Sequence, residues 1–155
     1  MTRKKEIKEG PSCDWRCAEP DKSAPVNADK IYRFKGNCKW TGTKTDRYKK
    51  QDGGWASITR NVLVGGSGES AKFHLRYFEI APGGYSSRET HRHEHVVICI
   101  RGKGRVLIGE SVHTIKNLDT VYIAPKTVHQ LSNPYDEPFG FFCIVNAKRD
   151  RPKPA

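Results

Sequence analysis

The chain contains no long apolar run. Among its 155 residues no hydrophobic stretch approaches the roughly 20 residues that a membrane-spanning helix needs. The segment from Met1 to Glu6 also lacks the apolar core of a signal peptide. We therefore expect a soluble, cytoplasmic protein without a membrane partner. Hydrophobic residues still make up 35% of the chain, which suits one globular domain with a real core and leaves little room for two.

Cysteine is scarce, and its number is odd. The five cysteines show no disulfide spacing pattern, which fits a reducing compartment. Cys99 and Cys143 lie within apolar runs, so we expect them to be small core residues. Cys13 and Cys17 have three residues between them, with Cys38 farther on, but no fourth thiolate or nearby histidine completes a zinc site. We interpret them as free surface thiols.

The charge is unevenly spread along the chain. Lys and Arg outnumber Asp and Glu by 28 to 17, for a formal net charge of +11. Residues 51–147 carry only 10 basic against 9 acidic residues, whereas residues 1–50 carry 14 against 7 and residues 148–155 carry 4 against 1. The basic residues are not interleaved with stacking aromatics in a recognisable module, so we expect no specific nucleic-acid partner. An interaction protein that uses its basic arm ranks last among the functions considered.

Helical periodicity is also absent, and short β-branched and aromatic runs take its place. Each run has the length of a strand and is bounded by Gly, Asn, Asp or Pro. Gly65–Gly68 and Pro82–Gly84 are predicted to be turns. The pattern favours an all-β antiparallel sandwich or barrel. The predicted strands are Phe73–Ile80, Val96–Ile100, Arg105–Ile108, Val112–Ile115, Thr120–Ile123 and Phe139–Val145.

Three of the six histidines, His91, His93 and His95, stand at every second position, and a fourth follows at His129. On a strand, neighbours in this row share a face and lie about 6.6 Å apart. Donors that share a metal at about 2.1 Å must lie within roughly 4 Å of one another, so a bent or bulged strand entrance is needed. A solvated edge strand is the alternative. The abrupt change to Val96–Ile100 places the row at the mouth of a buried strand and favours a metal site.

The segment from Pro82 to Val145 resembles a known family. It is similar to a small single-domain cupin, a double-stranded β-helix built as a compact jelly-roll barrel. The resemblance implies an all-β barrel preceded by an irregular N-terminal extension. The matching motifs are Pro82–Gly84, His91–His95 and Ile100–Gly104, followed by Asn117–His129 and Asn133.

The resemblance also implies a ligand set for a divalent transition metal. Members of the family typically hold the ion with a His-x-His pair, a third ligand a few residues on, and one histidine from the second motif. Counting back from the glycine turn places His95 as the third ligand. His91 belongs to the pair, with either Glu89 or His93 as its partner, and His129 comes from the second motif. Imidazoles suit Mn, Fe, Ni, Cu or Zn, and Glu89 would tilt the site toward Mn or Fe.

Two functions follow from this resemblance. The first is a metal-dependent enzyme of dioxygenase, isomerase or decarboxylase type acting on a small oxygenated organic molecule, with the metal as Lewis acid and template. The alternative is a non-catalytic module that binds or senses a small ligand or metal. The sequence does not identify a dedicated catalytic acid or base. Strand position makes five residues candidates for the pocket wall: Tyr77, Arg101, Tyr122, Gln130 and Phe141.

The motifs divide the chain into three parts. Residues 1–60 form a polar, basic N-terminal extension, residues 61–147 the cupin barrel domain, and residues 148–155 a basic C-terminal tail. Cupins of this size are commonly dimers. The resemblance therefore implies a homodimer, in which the extension could serve as an exchanged arm.

Overall fold

The computed structural model describes residues 27–48 and 56–155, so Cys13 and Cys17 lie outside the described residues. Within these residues eleven strands form a single sheet, and no helix is long and apolar enough to cross a membrane. The strands are β1 (Thr45–Arg47), β2 (Ala56–Val64), β3 (Phe73–Tyr85), β4 (Glu89–Thr90), β5 (His95–Arg101), β6 (Lys103–Ile108), β7 (Ser111–Lys116), β8 (Thr120–Ile123), β9 (His129–Ser132), β10 (Phe139–Asn146) and β11 (Lys153–Pro154).

All strand pairs are antiparallel, and the long strand β3 organises them. It pairs with β2 and β10, and β10 pairs in turn with β5, which pairs with β8. At its far end β3 adjoins β9, which also pairs with β4 and β6. The predicted all-β architecture is confirmed, and each of the six predicted strands is present. Short antiparallel connections of this kind let the sheet curl around one interior.

Alternation along the strands builds the core. On β10, Phe139, Phe141, Cys143 and Val145 are at most 5% exposed, because every second side chain points inward. Cys99 on β5 is also fully buried, so the prediction that Cys99 and Cys143 are core residues is confirmed. Each fully buried aliphatic or aromatic side chain of such a core contributes about 1.5–3 kcal/mol.

The predicted turn at Pro82–Gly84 is wrong, because these residues form a bulge inside β3. Ile58 of β2 faces Ile80, but Ala56 faces Tyr85, so β3 holds three more residues than β2 between these pairs. Gly83 has φ of +76°, which lets the strand bend without ending. Beyond the bulge the backbone continues toward β4 and the histidines.

Asn133 of the second motif holds this bulge and does not lie among the histidines. It is fully buried. Its Nδ2 donates to the carbonyl oxygens of Ile80 and Glu137, at 2.9 and 2.8 Å. The backbone adds two bonds, from Gly83 N to the oxygen of Asn133 and from Asn133 N to the oxygen of Gly84. The role of Asn133 is therefore structural.

Trp40 packs on the outer face of the sheet, whereas Tyr48, farther along the same N-terminal segment, packs against Phe78 and lines the interior pocket. The ring centre of Trp40 lies 5.2 Å from that of Tyr77 on β3 and 5.6 Å from that of Phe142 on β10. Lys30 and Tyr32 both bind a carboxylate oxygen of Glu69, at 2.9 and 2.7 Å. This part of the predicted extension is thus packed against the barrel.

The C-terminal residues return to the mouth of the barrel. Strand β11 pairs with β4, and the amide of Ala155 donates to the carbonyl oxygen of Arg88 at 3.1 Å. The predicted basic tail therefore belongs to the sheet, next to the segment that carries the histidines. The predicted limits of the barrel domain, residues 61 and 147, stay a prediction. Strand β2 begins before the first limit, and β11 lies beyond the second.

Candidate metal centre

Four buried histidines meet where β4, β5 and β9 adjoin. His91 and His93 lie in the bend between β4 and β5, His95 opens β5, and His129 opens β9. None of the four is more than 9% exposed. The backbone bends at residues 92 and 93, and the amide of Lys126 donates to the oxygen of His91 at 2.7 Å. The bend brings together rings that would lie too far apart on a straight strand.

The donor atoms are spaced as ligands of one ion would be. The Nε2 atoms of His91 and His129 lie 3.2 Å apart, and those of His95 and His93 lie 3.1 Å apart. Two nitrogens bound at about 2.1 Å with angles of 90–109° would lie about 3.0–3.4 Å apart. In His91, His95 and His129, one ligand atom from each residue lies within 4.8 Å of the others. This triad could hold a metal.

Hydrogen bonds at Nδ1 decide where the protons of these rings lie. Nδ1 of His91 lies 2.7 Å from the carbonyl oxygen of His93, and Nδ1 of His129 lies 2.9 Å from that of Thr127. A carbonyl only accepts, so each Nδ1 carries the proton and each Nε2 presents a lone pair. Two lone pairs then face each other at 3.2 Å, an arrangement that a cation between them stabilises. The residues fit a metal.

Burial favours the neutral form of His91, His93 and His95. Desolvation, helped by the neighbouring histidines, lowers the pKa of His91 from 6.5 to about 4, although the charge of Glu89 opposes the shift. The pKa of His95 lies well below its usual value, first through burial and then through the positive charge of Arg76. Burial also lowers the pKa of His93. Neutral imidazole is the form that binds a metal, so these three rings are in the binding form at neutral pH.

His93 is oriented from the C-terminal tail. Its Nδ1 lies 2.8 Å from a carboxylate oxygen of Asp150, whose side chain is 17% exposed. Both oxygens of Asp150 also accept the backbone N–H of Arg92, at 3.0 and 2.9 Å. Although burial opposes it, hydrogen bonds from His93 and Arg92 lower the pKa of Asp150 to about 2. The pair is therefore a carboxylate and a neutral imidazole whose Nε2 points at His95, as in metal sites with an outer carboxylate.

Glu89 lies on the pocket wall, outside the triad. Strand β4 places it opposite His129. Its Oε2 accepts a hydrogen bond from the hydroxyl of Ser87 at 2.9 Å. Both candidate partners of His91 therefore lie at the site: Glu89 lines the pocket, and the ring of His93 stacks on that of His91 with 3.7 Å between the ring centres. The choice between them as ligands stays a prediction.

A cavity of about 50 Å³ opens beside the histidines. It has room for a group of a few heavy atoms, since one water needs about 10–15 Å³ on the same scale. Its inner wall is mainly apolar, and His95, His129, Arg76 and Glu89 add polar groups. The apolar wall consists of Ile58, Phe78, Val97, Leu131 and Phe141.

The residues predicted for the pocket wall are placed differently. Phe141 lines the pocket, as predicted. Tyr77 and Arg101 instead bind Oε2 of Glu79, at 2.7 and 2.8 Å, in a separate cluster under Trp40. Two others are likewise absent from the wall: Tyr122 is 61% exposed, and Gln130 donates to the carbonyl oxygen of Ser86.

Arg76 and Asp150 are two charged residues of the site that the sequence analysis did not predict. Arg76 stands two residues before Phe78, so the alternation of β3 that buries Phe78 also turns Arg76 inward. In the sequence, a charged residue at a position that strand alternation turns inward was the signal for Arg76. Asp150 gave none, because only the return of the C-terminal tail brings it to His93.

A curled antiparallel sheet with an inward-facing histidine cluster at its mouth defines a class of small barrel proteins that can hold a metal. The family model for the cupin domain matches residues 76–145, a range that includes all four histidines. The chain belongs to the cupin family. The family inferred from the two motifs is thereby confirmed.

Relatives support this membership over most of the chain. The 1-methylthio-D-xylulose 5-phosphate methylsulfurylase of Rhodospirillum rubrum is 39% identical over 129 residues, which cover 82% of this chain and 81% of that protein. The crystal structure of a cupin-2 domain protein from Rhodospirillum rubrum has a TM-score of 0.70 at 37% identity, covering 83% of this chain and 82% of its own. That of a cupin 2 conserved barrel domain protein from Rhodopseudomonas palustris has a TM-score of 0.75 at 33% identity, covering 81% and 86%.

Proposed function

We propose that this cupin is a metal-dependent enzyme that acts on a small sulfur-substituted ketose phosphate. The observation that carries the metal dependence is the pair of Nε2 lone pairs of His91 and His129, which face each other at 3.2 Å in a buried site. His95 would complete the triad, and His93 lies beside it with its ring oriented by Asp150. The cofactor in this proposal is a divalent transition metal.

The chain's own residues supply orientation and a dry environment. A divalent ion, when bound, supplies a Lewis acid for a carbonyl or hydroxyl oxygen of the substrate. The Nδ1 bonds of His91 and His129 keep their Nε2 atoms aimed at one point. Phe78 and Phe141 exclude water from the inner side of the site, which strengthens electrostatic interactions there.

The substrate class rests on the relative from Rhodospirillum rubrum. Its name describes a methylsulfurylase for 1-methylthio-D-xylulose 5-phosphate, a ketose with a methylthio group on the carbon next to the carbonyl. Identity of 39% across four fifths of both chains supports a related substrate for this chain. The dioxygenase, isomerase and decarboxylase types predicted from the resemblance are replaced in this proposal by a reaction at the carbon–sulfur bond.

The pocket supports the same substrate class. Its apolar side chains, together with Arg76 and the two histidines, suit a small ligand that carries both an apolar and a polar group. If the carbonyl oxygen of such a ketose binds a metal at the histidines, the sulfur of the methylthio group lies three bonds from that oxygen. The pocket that His95 and His129 help to line therefore adjoins the carbon–sulfur bond in this proposal.

Metal content tests the ligand set. We expect the purified protein to hold about one equivalent of Mn, Fe, Ni, Cu or Zn by elemental analysis. His91→Ala and His129→Ala should each abolish it, because each removes a buried donor. His113→Ala, which changes an exposed histidine on β7, is the matched control and should retain the metal. A full equivalent of metal in both triad variants would contradict the assignment of His91 and His129 as ligands. Comparing Glu89→Ala with His93→Ala identifies the remaining ligand.

Turnover tests the chemistry in the same preparations. The metal-loaded protein is incubated with 1-methylthio-D-xylulose 5-phosphate, with and without an added thiol as sulfur acceptor, and substrate loss is followed by mass spectrometry. Metal-dependent consumption is the expected result. Binding of the compound without consumption in any metal form would instead favour the non-catalytic module.

A further inference from the structure

An arginine lies inside the barrel close to the histidines. On β3, Arg76, Phe78 and Ile80 alternate toward the interior and are 6%, 6% and 0% exposed. In the register of the sheet Arg76 faces Cys143 of β10, whose neighbour in the inward row is Phe141. Interior positions of small barrels are normally filled by packed side chains, mostly apolar ones. A guanidinium in this row is costly to bury, and its place beside the pocket indicates a role there.

Two contacts help to hold the guanidinium at the pocket. Its Nη2 lies 3.4 Å from Sγ of Cys143, and its central carbon lies 5.0 Å from the ring centre of Phe78. Stacking of this kind is typical of arginine and fixes the plane of the group. Arg76 lines the same cavity as His95 and His129. A ligand held at the histidines therefore extends into the pocket that Arg76 borders.

The charges around the pocket favour an anion. Among the described residues that line the pocket, Glu89 contributes the acidic side chain. A divalent ion and one guanidinium carry three positive charges against this one carboxylate. Counted over these described groups alone, the metal-loaded pocket therefore has a net positive charge.

We propose that Arg76 forms an oxyanion subsite beside the metal centre and binds a carboxylate or phosphate group of the ligand. The guanidinium presents paired N–H donors in a plane, and both kinds of oxyanion accept such a pair. The subsite selects ligands with an anionic group and orients them relative to the histidines. The inference rests on the proposed function for its position in catalysis, but anion binding itself needs no turnover.

Binding measurements on the full-length protein test the subsite. Dissociation constants are measured by calorimetry for D-xylulose 5-phosphate, D-xylulose, inorganic phosphate and acetate, with the metal-free and the Mn-loaded protein. We expect the phosphorylated sugar to bind at least about tenfold more tightly than the neutral one, since a charge-assisted hydrogen bond contributes about 1.5–3 kcal/mol. Inorganic phosphate and acetate distinguish a phosphate from a carboxylate subsite.

Three variants connect the effect to Arg76. Arg76→Met keeps much of the apolar stem and should remove the preference for anions while changing D-xylulose binding less than about twofold. Arg76→Lys keeps the charge without the fork and should retain part of the preference; it also serves if Arg76→Met does not fold. Arg105→Met, on the exposed side of β6, is the matched control and should bind like the original protein.

The outcomes separate this inference from the proposed function. Anion binding that depends on Arg76 in the metal-free protein supports the subsite even if the histidine variants keep their metal or no turnover is found. No binding of any anion by the original protein overturns the subsite. Equal weakening of neutral and anionic ligands by Arg76→Lys overturns it as well, because that result describes a structural arginine.

Discussion

At the scale of single residues, the positions of the protons on the imidazole rings determine which nitrogens can bind a metal. Carbonyl oxygens at the Nδ1 atoms of His91 and His129 set both rings in one tautomer. Asp150 does the same for His93, and its carboxylate is held in turn by the amide of Arg92. The outer partners thus prepare the Nε2 atoms for a metal before any ion arrives, which lowers the reorganisation that binding requires.

Replacing Asp150 should weaken metal binding. In Asp150→Ala the Nδ1 proton of His93 loses its acceptor, so the ring can rotate or change tautomer. Loss of such an outer partner typically costs about 10–100-fold in metal affinity. The affinity is measured by competition with a chelator, and Asp136→Ala, on an exposed loop, is the control. Unchanged affinity in Asp150→Ala would show that the tail does not support the site.

At the scale of elements, close packing between strands fixes the barrel around the site. Gly104 of β6 lies against the ring of Phe139, a fully buried residue of β10. The bulge of β3 turns the chain toward β4, which then pairs with both β9 and β11. The alternation of side chains along the strands therefore explains the core. The bulge in β3 and the bend before β5 explain how the histidines converge.

A methyl group at Gly104 should destabilise the protein. Its Cβ would collide with the ring of Phe139, which has no room to move within the core. Overpacking of this kind costs about 1–3 kcal/mol. The free energy of unfolding is measured in urea for Gly104→Ala and for Lys103→Ala, a control at the exposed neighbouring position. Equal stability of the two variants would mean that β6 and β10 can move apart without a loss of free energy of unfolding.

The sequence predicts strands and the core better than it predicts the short elements. Val96–Ile100 and Phe139–Val145 lie within β5 and β10 because inward residues in both are apolar and β-branched or aromatic. Strands β4 and β11 have two residues each, too few to leave a periodic signal. Strand β9 was missed because it begins with the polar pair His129 and Gln130.

At the scale of the whole molecule, the buried histidines connect stability to pH. The pKa of His74, lowered to about 4 by burial and then by the charge of Arg149, resembles that of His91. In the unfolded chain each histidine takes up a proton near pH 6.5. Between about pH 6.5 and 4 the unfolded state therefore binds more protons than the folded one, and folding is opposed.

Acid should therefore destabilise the metal-free protein well before the carboxylates titrate. We expect the free energy of unfolding to be constant above about pH 7 and to fall as the pH drops from 6.5 toward 4, by about 1–3 kcal/mol for His91 and by less for the half-buried His74. Urea unfolding at a series of pH values measures this. His74→Gln, which leaves the metal centre intact, should reduce the slope. A flat profile from pH 7 to 5 would contradict the assignment of neutral buried histidines.

The sequence by itself determined the fold class, the cupin family and the presence of a histidine row next to a buried strand. Strand alternation, turn residues and motif order are local properties of the chain. The tertiary structure decided which donors meet. The bend at residues 92 and 93 brought His91 and His95 to His129, and the sheet placed Arg76 and Asp150 beside them from distant strands. Distances between residues far apart in the chain depend on the pairing register of the strands and on where the chain folds back. Local sequence patterns do not encode either.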